Sequence, residues 1–271
     1  MHRIALRIAL ISVALAAMLS PTVFIAQTPE APATKAPVAT QTISAPQLSS
    51  APISAWQQRF NEKLLVDFGW LARFKEADLA LGPPAKGEDR VVFMGDSITE
   101  GWKIEGLDGY FPGKPYINRG ISGQTTPQML VRFRQDVIDL HPKAVVILAG
   151  TNDIAGNTGP MTIEETEDNL ASMAELAAFH QIRVVLCSVT PAFDFPWKPG
   201  LTPAPKILAL NAWIKAYAAE HGFVYVDYHT VMKDTRDGLP AALSHDGVPP
   251  LPAGYAVMTP LVEAGIERAL K

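Results

Sequence analysis

The feature that most constrains this chain is a series of short apolar runs rich in β-branched residues. They lie at 91–94 (VVFM), 144–149 (AVVILA), 183–188 (RVVLCS) and 224–227 (VYVD). Their apolar and polar residues do not alternate. A strand with one wet face shows that alternation, whereas an unbroken apolar run suits a strand covered on both faces, as in a parallel sheet. Residues 116–118 add a weaker candidate strand. Between the runs, helical spacing appears at 127–140, 163–180 and 206–221, and Pro252–Leu270 closes the chain as a helix. Strands that alternate with helices predict an α/β fold: a three-layer α/β/α sandwich around a five-stranded parallel sheet. Upstream, Trp56, Phe60, Leu64, Phe68, Leu71 and Phe74 recur at helical spacing until Gly82-Pro83-Pro84 stops the pattern.

The amino-terminal part has a different character. Arg3 and Arg7 precede an uncharged apolar run at 8–19, the pattern of an export signal, and Ser20-Pro21 interrupts it. Residues 1–26 are therefore expected to act as a signal peptide, or as an N-terminal anchor if they are not cleaved. The protein is expected to be exported, either periplasmic or secreted, with tethering through this segment as the only membrane contact. The single cysteine, Cys187, cannot carry a lipid at the leader and cannot form an intramolecular disulfide. Residues 27–54, dominated by Ala, Pro, Ser and Thr, have too little apolar area to offset chain entropy and read as a disordered linker. The folded domain is then 55–271. Of the whole chain, 48% is hydrophobic, which excludes wholesale disorder, and the formal net charge of -4 argues against a nucleic-acid partner.

Candidate chemistry falls in the loops that follow the strands. Gly95-Asp96-Ser97 comes directly after the first run. Ser97 there is either a nucleophile awaiting a base or the N-cap of the next helix. Gly120-Ile121-Ser122-Gly123 lets backbone N–H groups approach a ligand, or simply makes a turn. In Gly150-Thr151-Asn152-Asp153, Asn152 offers an amide donor suited to an oxyanion, or an Asx-turn. Ser244-His245-Asp246-Gly247 follows the last strand. All four loops lie at the carboxyl edge of one parallel sheet, where open α/β folds bind ligands.

In these blocks, in their order and spacing, the chain resembles the SGNH family of GDSL-type esterases and lipases. The resemblance runs from Arg90 to about Pro260 through Gly95-Asp96-Ser97, Gly123, Gly150-Thr151-Asn152-Asp153 and Asp246. It implies a flavodoxin-like fold with strand order 2-1-3-4-5, and a serine hydrolase acting on carboxylic esters without metal or organic cofactor. Ser97 would form the acyl-enzyme. Ser97 N–H, Gly123 N–H and the Asn152 side chain would hold the oxyanion, and Asp246 would orient a histidine. Small acyl esters, acetylated sugars and lysophospholipids are the substrate classes it admits.

One position departs from the pattern. The family's last block reads D-x-x-H-P, but here it reads Asp246-Gly247-Val248-Pro249-Pro250, with Gly254-Tyr255 fixing the register. Pro249 stands where the catalytic histidine belongs. Proline has no titratable group and can neither take the Ser97 proton nor protonate a leaving alcohol. Severely impaired esterase activity is therefore expected. Candidate surrogates are His245, beside Asp246, and more weakly His229. His141, His180 and His221 read as structural residues at helix ends. The competing reading is a non-catalytic module on the same fold that binds a carbohydrate or acyl ligand. Asp96 and Asp153 are expected to fix loop hydrogen bonds, Cys187 to be a buried thiol, and Trp102, Phe193, Phe195 and Trp197 to pack in loops or rim a binding site.

Overall fold

The computed structural model describes residues 54–102 and 111–271. The leader expected at 1–26 and the linker expected at 27–54 lie outside the described residues, save for Ser54. The chain opens with α1 (Ala55–Val66) and α2 (Lys75–Leu81). Next come β1 (Val91–Gly95), α3 (Ser97–Glu100), β2 (Tyr116–Gly120) and α4 (Thr126–Asp136) with a 3-10 turn at Ile138–Leu140. The rest is β3 (Ala144–Leu148), α5 (Thr151–Ile154), α6 (Ile163–Phe179), β4 (Arg183–Cys187), α7 (Ala204–His221), β5 (Val224–Val226), α8 (His229–Met232) and α9 (Pro252–Leu270). The five strands form one parallel sheet in the order β2-β1-β3-β4-β5. Class, layer order and topology are those the apolar runs and the family resemblance imply.

The absence of alternation in the runs has its cause in two cores. Val92, Met94, Val145, Ile147, Val184 and Leu186 face α4, α6 and α7, where Met129, Phe133, Leu170, Met173, Leu210 and Ile214 meet them. The intervening Val91, Phe93, Val146, Leu148, Val185 and Cys187 face α9 through Met258, Val262 and Ile266. Every residue of β1 and β3 is buried, as a strand sandwiched between helix layers must be. Truncating a helix residue packed against these strands, Phe133 of α4 for example, costs about 3–5 kcal/mol.

The expected helical stretch from Trp56 to Phe74 is broken. The Asp67 carboxylate accepts from the N–H groups of Leu71 (2.8 Å) and Ala72 (3.0 Å), and Trp70 takes a left-handed φ of 54°. A side chain that caps the backbone just beyond itself competes with helix propagation. The segment after the break is held by Gln124, just before α4, which donates to Gly69 O (3.0 Å), and by Gln128 of α4, which donates to Phe68 O (2.7 Å). The patterned stretch at 127–140 likewise ends in a 3-10 turn closed by His141 in a left-handed conformation.

Candidate functional site

The candidate site grows from the end of β1. Gly95 is packed so closely that an added Cβ would lie 2.8 Å from Leu148 O on β3, so no side chain fits there. The buried Arg132 guanidinium reaches the Gly95 carbonyl (3.1 Å) while it pairs with Asp136 (2.8 Å) and bonds Gln124 (2.6 Å). This clamp fixes where β1 stops and α3 starts. Arg132 and Gln124 escaped the sequence reading. The signal available for Arg132 was its place on the helix stripe that carries Met129 and Phe133, where a charged residue must find buried partners.

Ser97 is not the cap of α3. Asp96 is, its carboxylate accepting from Ile98 N–H at 2.9 Å. Ser97 is the first helical residue, partly exposed, and among the described residues no imidazole bonds its hydroxyl. The helix-cap alternative for Ser97 is thereby corrected. The Asx-turn or cap alternative for Asn152 is corrected as well. Gly150 caps α5 without a side-chain bond, and the Asn152 amide instead donates to Asp96 Oδ2 (3.1 Å) and Gln124 O (3.0 Å). The structure thus brings the loops after β1, β2 and β3 together through one buried amide. Gly123 joins them with a φ of 80°, and its carbonyl accepts from Asn157 Nδ2 (3.2 Å). Asn157 was not singled out from the sequence.

Burial sets the electrostatics of this cluster. Asp96 is fully enclosed, and loss of hydration pushes its carboxyl up to about 7, against the pull of the Ile98 N–H and with further help from the charge on Asp153. Asp153 accepts from Thr126 N–H (2.9 Å) and Thr126 Oγ1 (2.5 Å), while its other oxygen is buried with no partner. Desolvation lifts it to about 6. Both carboxyls do hold loops, as expected of them.

The fourth loop is built differently. Asp246 is exposed and bonds its own turn: Val248 N–H at 3.1 Å and Ser244 Oγ at 3.3 Å. The single Ser244 hydroxyl proton is shared between Asp246 and the nearer Pro249 O (2.8 Å), while Oγ accepts from Gly247 N–H (3.0 Å). Pro249 is exposed, while Pro250 is buried and packs on Gly254. From there α9 is pinned to the Ser97 helix by Tyr255 Oη to Ile98 O (2.9 Å) and by Trp102 Nε1 to Thr259 Oγ1 (3.2 Å).

His245 and Asp246 line an open pocket of about 320 Å³ with Phe193, Arg236 and Leu239, and Ser97 is not among its lining residues. His229 is buried, its Nε2 without a partner, and desolvation holds its pKa below the ordinary value. Of the rim candidates, Trp102 and Phe195 are core residues and only Phe193 and Trp197 are half-exposed. Cys187 is buried, beside the Tyr228 hydroxyl, and its thiol is pushed up to about 12, far from a reactive thiolate. Among the described residues no cluster of His, Cys, Asp and Glu could hold a metal ion.

A helix-opening serine, a buried asparagine amide and two glycine turns on one sheet edge define a class, and direct comparison agrees. The chain belongs to the GDSL-like lipase/acylhydrolase family, whose model matches residues 93–257. It is similar to a GDSL-like lipase from Bacteroides thetaiotaomicron, with 47% identity over 75% of this chain and 100% of that one, at a TM-score of 0.72. A structure from Bacteroides fragilis matches at 45% identity over 76% and 99% of the two chains, with a TM-score of 0.73. An acetyl xylan esterase from Geobacillus stearothermophilus, at 23% identity and a TM-score of 0.53, shares the fold. The uncharacterized lipoprotein YqeF of Bacillus subtilis is 30% identical over 130 residues, 42% of this chain. The chain spans about half (53%) of the length of that curated relative. Among the described residues no helix is long and apolar enough to cross a membrane.

Proposed function

We propose that this chain is an exported serine ester hydrolase with its acyl-binding side complete and its proton-transfer side disabled. The observation that carries this reading is the capping of α3 by Asp96. It leaves the Ser97 hydroxyl without helix-capping duty on the loop that the Asn152 amide ties down. Attack of Ser97 Oγ on an ester carbonyl would place negative charge on the carbonyl oxygen. Ser97 N–H, Gly123 N–H and an Asn152 Nδ2 proton are the donors we assign to it. Asn152 would release Gln124 O or Asp96 to do so.

The Ser97 proton must leave as the bond forms, and the leaving alkoxide must gain one. A histidine at 249, oriented by Asp246, would serve both steps. Pro249 serves neither, so the proton passes to solvent and turnover is slow. His245 does not fill the gap in this reading, since Ser97 is not in the wall of the pocket that His245 lines. Small acyl esters, acetylated sugars and lysophospholipids remain the substrate classes, reached after export by the leader.

A fluorophosphonate probe tests the assignment. Slow labelling confined to Ser97, absent in Ser97→Ala and accelerated in Pro249→His, is the expected pattern. If Pro249→His also fails to label or to hydrolyse p-nitrophenyl acetate, the reading fails and a ligand-binding module takes its place.

A further inference from the structure

Asn157 lies outside the motif that contains Asn152, yet its side chain touches two of the three loops assigned to the oxyanion. Nδ2 donates to Gly123 O (3.2 Å) and to Asn152 Oδ1 (2.9 Å). Its backbone N–H donates to Asn152 O (3.0 Å), tying the turn to the same residue. Its Oδ1 accepts from the indole N–H of Trp197 (3.2 Å), which reaches in from the crossover after β4. Trp197 is stacked on the buried Phe195, with ring centroids 5.0 Å apart, so the indole is held in place.

An indole N–H can only donate. Whatever amide faces it must present oxygen, which turns the Asn157 NH2 group toward Gly123 and Asn152. Asn152 must then accept with Oδ1 and turn its own NH2 group toward Asp96 Oδ2 and Gln124 O. The direction of donation runs one way, from Trp197 through Asn157 to Asn152. A donor bonded to an amide oxygen also polarises that amide and strengthens its N–H groups as donors.

We propose that Asn157 is a positioning residue for the oxyanion site, with Trp197 as its lock. It fixes the polarity of the Asn152 amide and holds the left-handed Gly123 turn. The inference rests on the oxyanion roles given above to Asn152 and Gly123. It adds that the long crossover loop, through Trp197, governs how well those donors work.

Two variants separate the links. Asn157→Asp is isosteric and still accepts from Trp197, but sets an oxygen against two acceptors. Trp197→Phe keeps the ring and removes only the donor. In the Pro249→His background with p-nitrophenyl acetate, Asn157→Asp should lower kcat about tenfold to a hundredfold, less than loss of an oxyanion donor itself, with KM within about twofold. Trp197→Phe should lower kcat severalfold with the same split.

A second readout needs no turnover. In the chain with Pro249, the Asn152 side-chain amide resonances should shift in both variants while circular dichroism stays native. Unmoved resonances in Trp197→Phe, or moved resonances with unchanged kcat, would overturn the inference. A Pro249→His protein inactive on every ester overturns the proposed function instead, and the amide resonances still decide whether Asn157 and Trp197 set Asn152.

Discussion

The loops after β1, β2 and β3 contrast with the loop before α9, although both carry residues that the family pattern singles out. The first group is buried and cross-linked. Asp96, Gln124, Asn152 and Asp153 are each at most 3% exposed, and the Asn152 amide alone joins Asp96, Gln124 and Asn157. The Ser244–Pro250 loop instead bonds mainly to itself, with Asp246 and Pro249 exposed. A buried polar network constrains every member, because one lost partner strands another group away from water. An exposed turn tolerates a change at its tip. The contrast explains how proline can occupy position 249 while the rest of the site keeps its form.

The sharpest tests of this contrast exchange residues on one side and read the other. In a Pro249→His chain, replacing Ser97 by Ala should reduce hydrolysis on the order of a thousandfold or more. In the same background Asp246→Ala should cost up to about ten-thousandfold in kcat, whereas in the chain with Pro249 it should leave the slow fluorophosphonate labelling unchanged. Equal effects in the two backgrounds would show that Asp246 acts by itself rather than through residue 249. Asn152→Ala in the Pro249→His chain should lower kcat about a hundredfold to a thousandfold with little change in KM. A loss carried by KM would place Asn152 in ground-state binding instead.

The buried side should also be sensitive to pH. Asp96 and Asp153 bind protons more tightly in the folded chain, at about 7 and about 6, than as free carboxyls. Between the ordinary aspartate range and those values the folded state holds the extra protons. Stability therefore falls as pH rises through that window. Thermal melts should show a lower Tm at pH 8 than at pH 5, with a shallower slope in Asp153→Asn. A flat profile in the native chain would contradict the desolvation argument. The smallest effect belongs to the Ser244–Pro250 loop, in which Ser244 itself is buried. Ser244→Ala, by removing the hydroxyl bonded to Pro249 O, should cost about 1 kcal/mol in denaturant unfolding.

Much of the fold was legible because both faces of the sheet are covered. Burial on two sides leaves unbroken apolar runs such as 144–149, and these need no tertiary knowledge to read. The break after α1 was not legible, because it depends on where the Asp67 carboxylate points. Of the candidate residues, Ser97, Gly123, Asn152 and Asp246 were named through the family resemblance and Pro249 from register, and the structure brings together the loops of the first three. Which residue caps α3 was not legible, since Asp96 and Ser97 are both good caps and only geometry separates them. Gln124 and Asn157 owe their importance to partners distant in sequence, so no local pattern marks them.

The central claim is that one position limits an otherwise assembled site. The measurement that tests it is p-nitrophenyl acetate hydrolysis by the native chain and by Pro249→His, side by side at equal concentration. The account predicts a rise on the order of a thousandfold in the variant, abolished by Ser97→Ala. Equal, brisk rates in the two proteins would contradict it, because another base would then already serve Ser97.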